Sequence, residues 1–213
     1  SGDMFCAALL DLGVPLGRFQ ESILSLSLPE KVHLKTEKTV RGGLAGTRFI
    51  VEESGHHHHH DHGHHHSRNW AEIRDLLKKS KLAPAVRDSA LAMFHRIAEA
   101  EAKLHGVPVE TVHFHEVGAV DSIVDLVCAA AGIHHLKVTE VTASVPVDGT
   151  GTIQCAHGTF PLPAPATAEI LRGIPIRQLD VPHELTTPTG AAILAHFVKK
   201  FGLLESFSAD RIG

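Results

Sequence analysis

The chain has 213 residues, 43% hydrophobic and 21% charged, with 24 acidic against 20 basic side chains for a net charge of −4. That is enough for one large soluble domain or two small ones, and with no basic run longer than Lys78-Lys79 the balance points away from nucleic acid. No apolar run approaches the ~20 residues of a membrane helix, and three cysteines (Cys6, Cys128, Cys155) without CxxC spacing fit a reducing cytoplasm.

Phe5, Leu9, Leu10 and Leu12 recur with helical spacing, and Gly13 stands where helices end. Pro15 opens a second helix to about Leu26. Lys31–Arg41 and Leu44–Glu53 alternate around Gly42-Gly43, a hairpin signal. Next comes a tract holding nine of the nineteen histidines: His56, His57, His58, His59, His60, His62, His64, His65 and His66, broken by Asp61 and Gly63. It is internal and interrupted, unlike a purification tag, and too polar to pack, so residues 54–68 are expected to form a mobile, disordered loop. Asn69 caps a helix to about Lys79, and Pro84 begins a longer one with a buried stripe of Val86, Ala90, Met93, Phe94, Ile97 and Leu104.

Val112–Val117 reads as a short strand and Asp121–Leu136 as a helix apolar nearly all round, hence buried. Val138–Val147 reads as a strand running to the turn dipeptide Asp148-Gly149. Pro161, Pro163 and Pro165 impose an extended approach to a helix ending at Gly173, and Thr187-Pro188 starts a last helix through about Phe201. The expected fold is α/β or α+β, with short strands and a hairpin layered with several helices. The strand order is not readable.

Three features bear on chemistry. Imidazole is the commonest protein ligand for late first-row divalent metals, so the tract reads as metal handling, with Ni(II), Cu(II), Co(II) and Zn(II) all open. Around residues 113–125, His113 and His115 share one face of the expected strand, and Asp121 and Asp125 share one face of the helix that follows. With Glu116, these imidazoles and carboxylates suit a divalent metal or a base beside one; the alternative is strand-edge histidines and an Asp121 helix cap. Third, small-residue helix entrances at Ser1-Gly2-Asp3, Ala164-Pro165-Ala166-Thr167 and Thr187-Pro188-Thr189-Gly190 leave backbone N–H groups beside hydroxyls, fit for a phosphate or carboxylate or for simple capping. His157 lies in a Gly-rich turn and Glu184 precedes the Thr187 entrance. Cys155 and His157 resemble a soft metal pair, but Cys155 is better read as a small packed residue. His134, His135 and His196 read as structural or solvated. GxxxxGK[ST], GxGxxG after a strand and GxSxG are all absent.

SGDMFCAALLDLGVP, the tract after a hairpin, FHEVGAVDSIVDLV, HGTFPLPAPATAEILRGIP and ELTTPTGAAI together resemble the nickel-insertion protein family of the lactate racemase system, in order and over nearly the whole chain. The resemblance implies an enzyme of the lyase class, a nickel chelatase or cyclometallase. It would insert Ni(II) into pyridinium-3,5-bisthiocarboxylic acid mononucleotide, forming the nickel-pincer cofactor used by the lactate racemase apoprotein. It also implies a need for CTP with Mg(II) or Mn(II), the CTP being held by a separate C-terminal domain. The family begins with a strand ahead of SGDM, and this chain ends where that domain would begin, so residues 1–213 are expected to be the N-terminal nickel-insertion domain.

The residues fit such a task. The pincer product holds nickel through two sulfurs and a ring carbon, so the protein must deliver labile Ni(II) and remove a ring proton. The tract, with His113, His115 and Asp125, would hold the metal. Glu116 or His115 would take the proton, with Asp121 beside them. Ser1, Gly2, Asp3, His157, Thr167, Glu184, Thr187 and Thr189 would hold the substrate. A nickel storage or delivery protein and a metal-dependent nucleotide hydrolase remain the other readings. No nucleic acid or membrane partner is expected, and self-association into a homo-oligomer is left open.

Overall fold

The computed structural model describes residues 2–54, 68–114, 117–155 and 157–213. Helix α1 (Gly2–Asp11) ends as its sequence predicts: Gly13 takes φ 107°, its N–H bonds the Leu10 carbonyl, and the Val14 N–H bonds that of Leu9. This leaves the last-turn carbonyls of an apolar helix satisfied. After α2 (Leu16–Ser25), strands β1 (Lys31–Arg41) and β2 (Leu44–Ser54) form an antiparallel hairpin in register from Lys31↔Ser54 to Arg41↔Leu44. Gly42 and Gly43 make its two-residue turn at φ 55° and 80°, a conformation that matches the twist of the strands it joins. The hairpin is anchored by Leu34 and Phe49, the latter edge-on to Phe19 at 5.7 Å. The expected loop at 54–68 lies almost wholly outside the described residues.

Helix α3 (Trp70–Lys79) begins in a full capping box: the Glu72 N–H donates to Asn69 Oδ1 at 2.9 Å, and the Asn69 N–H donates to Glu72 Oε2 at 2.8 Å. Helix α4 (Pro84–His105) has Pro at its first position and ends at Gly106 in the left-handed region, φ 65°. Its expected stripe is buried except for Leu104, which is 46% exposed and lines an open cleft. Helix α5 (Val120–His135) is buried along most of its length and packs against α1, α2 and α4. An all-round apolar helix needs neighbours on every side, and this one is the centre of the fold.

The remaining strands are short. β3 (Val141–Ala143), β4 (Val147–Asp148), β5 (Thr152–Cys155) and β6 (Gly158–Pro161) precede α6 (Pro165–Ile170). β7 (Arg177–Gln178), α7 (Pro188–Phe197) and β8 (Val198–Phe201) follow. Among the described residues the strands make four two-stranded pieces: β1–β2 and β5–β6 antiparallel, β3–β8 and β4–β7 parallel. The fold is therefore a helical core with small mixed sheets around it. No described helix is long and apolar enough to cross a membrane.

Several boundaries depart from the sequence pattern. Val112–Val117 is not a strand in its described part: a 3-10 turn (Val109–Thr111) leads to one isolated bridge, His113 with Asn69. Among the described residues this stretch pairs with the start of α3 and the residues just ahead of it, through Trp70 N–H to the Val112 carbonyl (3.1 Å) and Phe114 N–H to that of Arg68 (3.4 Å). The single strand expected at Val138–Val147 is two, β3 and β4, separated by the Pro146 step, where the backbone donor is missing. α6 stops at Ile170 rather than running to Gly173. The last helix stops at Phe197, because Val198–Phe201 pairs with β3, a tertiary choice that overrides helical spacing.

Candidate functional site

The first entrance and the 121–125 carboxylates come together where α1 meets the first turns of α5. Gly2 is buried against Asp125: a Cβ built on Gly2 would fall 2.6 Å from the Asp125 Cγ, so only glycine allows this approach. The same close packing recurs one helix length away, where a Cβ on Gly132 would fall 2.6 Å from Leu9 Cδ1. The Asp3 backbone N–H donates to the Asp125 carboxylate. Burial first, and then the charges of Asp3 and Asp121, push the Asp125 carboxyl up to about 7. A carboxyl at that value exchanges its proton near neutral pH, which suits a group that alternates between acid and ligand. Asp3 and Asp121 are themselves exposed. Asp121 does not cap α5, whose N-cap position is Ala119 with no side-chain bond.

Beneath these carboxylates lie two fully buried thiols. The Cys6 Sγ donates to the Asp125 backbone carbonyl at 3.5 Å and is hydrogen-bonded with Cys128. Burial, and then that hydrogen bond, push the Cys128 thiol well above its ordinary range, so it packs as an inert neutral group.

The third entrance is held by a residue that sequence reasoning took for a turn. Asp148 is completely buried, and its Oδ1 accepts from the N–H groups of Gly149 (2.8 Å), Leu185 (2.8 Å) and Thr186 (3.5 Å). Its Oδ2 has no partner among the described residues. Thr186 donates back to the Val147 carbonyl at 2.8 Å, and a Cβ on Gly149 would collide with the carbonyls of Val181 and His183. The segment carrying half-buried Glu184 is thereby tied to β4. It delivers Thr187 as N-cap of α7, whose Oγ1 accepts from the Gly190 N–H at 3.4 Å and contacts Thr189 Oγ1 at 3.0 Å. An Asp-Gly dipeptide carries no signal that its carboxylate is buried, which is why this one escaped the sequence reading.

The second and third entrances meet around His157. A cleft of about 270 Å³ is lined by Glu101 and His105 of α4, by Cys155, His157 and Phe160 of the β5–β6 hairpin, and by Pro165 and Pro188. The two prolines are the first residues of α6 and α7. A separate cavity of about 310 Å³ joins Phe5 of α1 to Leu185, Thr186 and Gly190. Thr167 is completely buried in α6, and its hydroxyl has no partner among the described residues. It does not cap its helix, whose N-cap is Ala164.

Ser1, the tract His56–His66, His115 and Glu116 lie outside the described residues. His113 is exposed on its bridge to Asn69, between buried Val112 and Phe114. Among the described residues there is no group of three or more His, Cys, Asp or Glu side chains that could hold a metal ion. His134 contacts the Ser89 hydroxyl at 3.0 Å, while burial and then Lys199 hold His196 below the usual imidazole range.

Residues 1–213 match one known class throughout, the nickel insertion protein family, and the chain belongs to it. It is 46% identical over 219 residues to the pyridinium-3,5-bisthiocarboxylic acid mononucleotide nickel insertion protein of Geobacillus kaustophilus, covering all of this chain and 52% of that protein. It is 49% identical over 217 residues to the protein of the same name from Clostridium kluyveri, covering all of this chain and 54% of that one. The chain thus spans about half the length of the curated relatives it matches. No solved structure matches it.

Proposed function

We propose that this chain is the part of a nickel insertion enzyme that brings Ni(II) and pyridinium-3,5-bisthiocarboxylic acid mononucleotide together. The observation that carries this reading is the whole-chain likeness to two relatives named for that task. The gathering of Gly2, Asp3, Asp121 and Asp125 at one junction supports it. Nickel is substrate here. Insertion binds Ni(II) to two thiocarboxylate sulfurs and one ring carbon and releases the ring proton, with no change in electron count.

The tract holds Ni(II) in many exchanging imidazole sets, so that release crosses no deep well. His113, His115 and Asp125 receive the ion, and Glu116 or His115 takes the ring proton, with Asp121 at the entrance. Ser1, Gly2 and Asp3, with Thr167, Glu184, Thr187, Thr189 and His157, hold the nucleotide, its phosphate at a helix entrance. The full-length enzyme works in the cytoplasm as a lyase, uses CTP with Mg(II) or Mn(II), and supplies the nickel-pincer cofactor to lactate racemase apoprotein.

The test is a reconstituted insertion assay with full-length protein lacking His56–His66. Turnover that persists at saturating nickel, with the half-saturating nickel concentration raised, is the expected result and makes the tract a delivery device. Loss of turnover at every nickel concentration would place the tract in the reacting centre. Wild-type protein that binds nickel yet forms no pincer product would leave a carrier instead of an enzyme.

A further inference from the structure

The cleft at His157 differs in chemistry from the carboxylate junction, and the difference identifies which part of a substrate it takes. Its walls are flat and carbon-rich: the Phe160 ring, the His105 and His157 rings at 4.8 Å and 52° to each other, and the faces of Pro165 and Pro188. As the first residues of their helices, both prolines present ring C–H groups where other residues would present N–H donors. The Glu101 carboxylate, only 8% exposed, lies 3.4 Å from His105 Nε2 and fixes that ring's orientation.

At about 270 Å³ the cleft lies below the ~300–1,000 Å³ of sites that enclose whole drug-sized ligands. A cleft of that size holds one substituted ring. Aromatic faces carry negative quadrupole density, so a flat ring bearing positive charge is held there more tightly than a neutral ring of the same shape.

We infer that this cleft is a stacking subsite for a cationic six-membered aromatic ring, the pyridinium of the substrate, with Phe160, His105 and His157 as its contact surfaces and Glu101 as a positioning residue. The inference rests on the proposed function for the identity of the ring, and on the lining of the cleft for its location. The ring enters between the openings of α6 and α7, and its sugar phosphate extends outward along them.

The experiment uses full-length protein and two small probes of one shape: N-methylpyridinium-3,5-dicarboxylate, which is cationic at the ring, and 5-methylbenzene-1,3-dicarboxylate, which is neutral there. Binding is followed by calorimetry and by the imidazole proton resonances of His105 and His157. The expected result is that the pyridinium probe shifts both imidazoles and binds about fivefold more tightly than the neutral probe, as cation–π attraction predicts. Phe160→Leu should abolish that preference. His157→Gln, at an exposed position, should weaken binding severalfold and guards against misfolding of the first variant.

Equal affinity for the two probes, unshifted imidazoles, or unchanged preference in folded Phe160→Leu would overturn the subsite. The insertion assay on the same preparation separates the two readings. Probe binding without insertion would leave the subsite standing and sink the proposed function. Insertion with unshifted imidazoles would do the reverse.

Discussion

Asp125 and Asp148 are two carboxylates withdrawn from water in one chain, and their surroundings are opposite. Asp125, half-buried, faces two other carboxylates and one backbone donor. Asp148, fully buried, is ringed by three backbone N–H groups. Burial alone therefore does not assign a role. Donors around Asp148 make it a structural tie for the segment leading into α7, whereas burial, reinforced by the like charges of Asp3 and Asp121, leaves Asp125 with a proton to exchange.

The largest loss of stability should follow from breaking the tie. Asp148→Ala leaves three N–H groups without their acceptor and is expected to cost about 3 kcal/mol in urea unfolding. Asp148→Asn keeps an acceptor oxygen and should cost clearly less; equal losses for the two would show that the charge, not the acceptor, holds the segment.

Next comes the pH dependence at Asp125. Its carboxyl stands at about 7 when folded against an ordinary 3.8, so the folded state binds this proton more tightly. The contribution is therefore full below about pH 4, declines as the pH rises to about 7, and is lost above that. Asp125→Asn should remove this slope and be more stable than the parent at pH 8 by roughly 4 kcal/mol, with the gap closing toward pH 4. A variant whose unfolding curves keep the parent's pH slope would place the titrating group elsewhere. The smallest effect belongs to Thr187→Val, which removes the cap of α7 for about 1 kcal/mol and should speed hydrogen exchange in its first turn. A loss as large as that of Asp148→Ala would mean that the cap, and not the aspartate, fixes this entrance.

Much of the fold was legible because local rules act over a few residues. Gly13, Gly42-Gly43, the Asn69–Glu72 box and the prolines at 84, 165 and 188 each mark an element boundary by their own backbone chemistry. Where a partner distant in sequence decided the matter, the local reading failed. Val198–Phe201 continues a helical pattern but pairs with β3, and Val112–Phe114 alternates like a strand but, among the described residues, pairs with Arg68, Asn69 and Trp70 through a single isolated bridge.

The site divides in the same way. Residue types and spacing marked Gly2, Asp3, Asp121, Asp125, His157 and Thr187 one stretch at a time. That Gly2 lies on Asp125, that His157 packs against His105 in the wall of a cleft beside two helix starts, and that Asp148 is buried are facts of packing between segments far apart in the chain. The sequence by itself determined which groups could do chemistry, because donors, acceptors and backbone limits belong to each residue. Only the tertiary structure decided which of them meet, because burial and mutual charge exist only once α1, α5 and α7 have packed together.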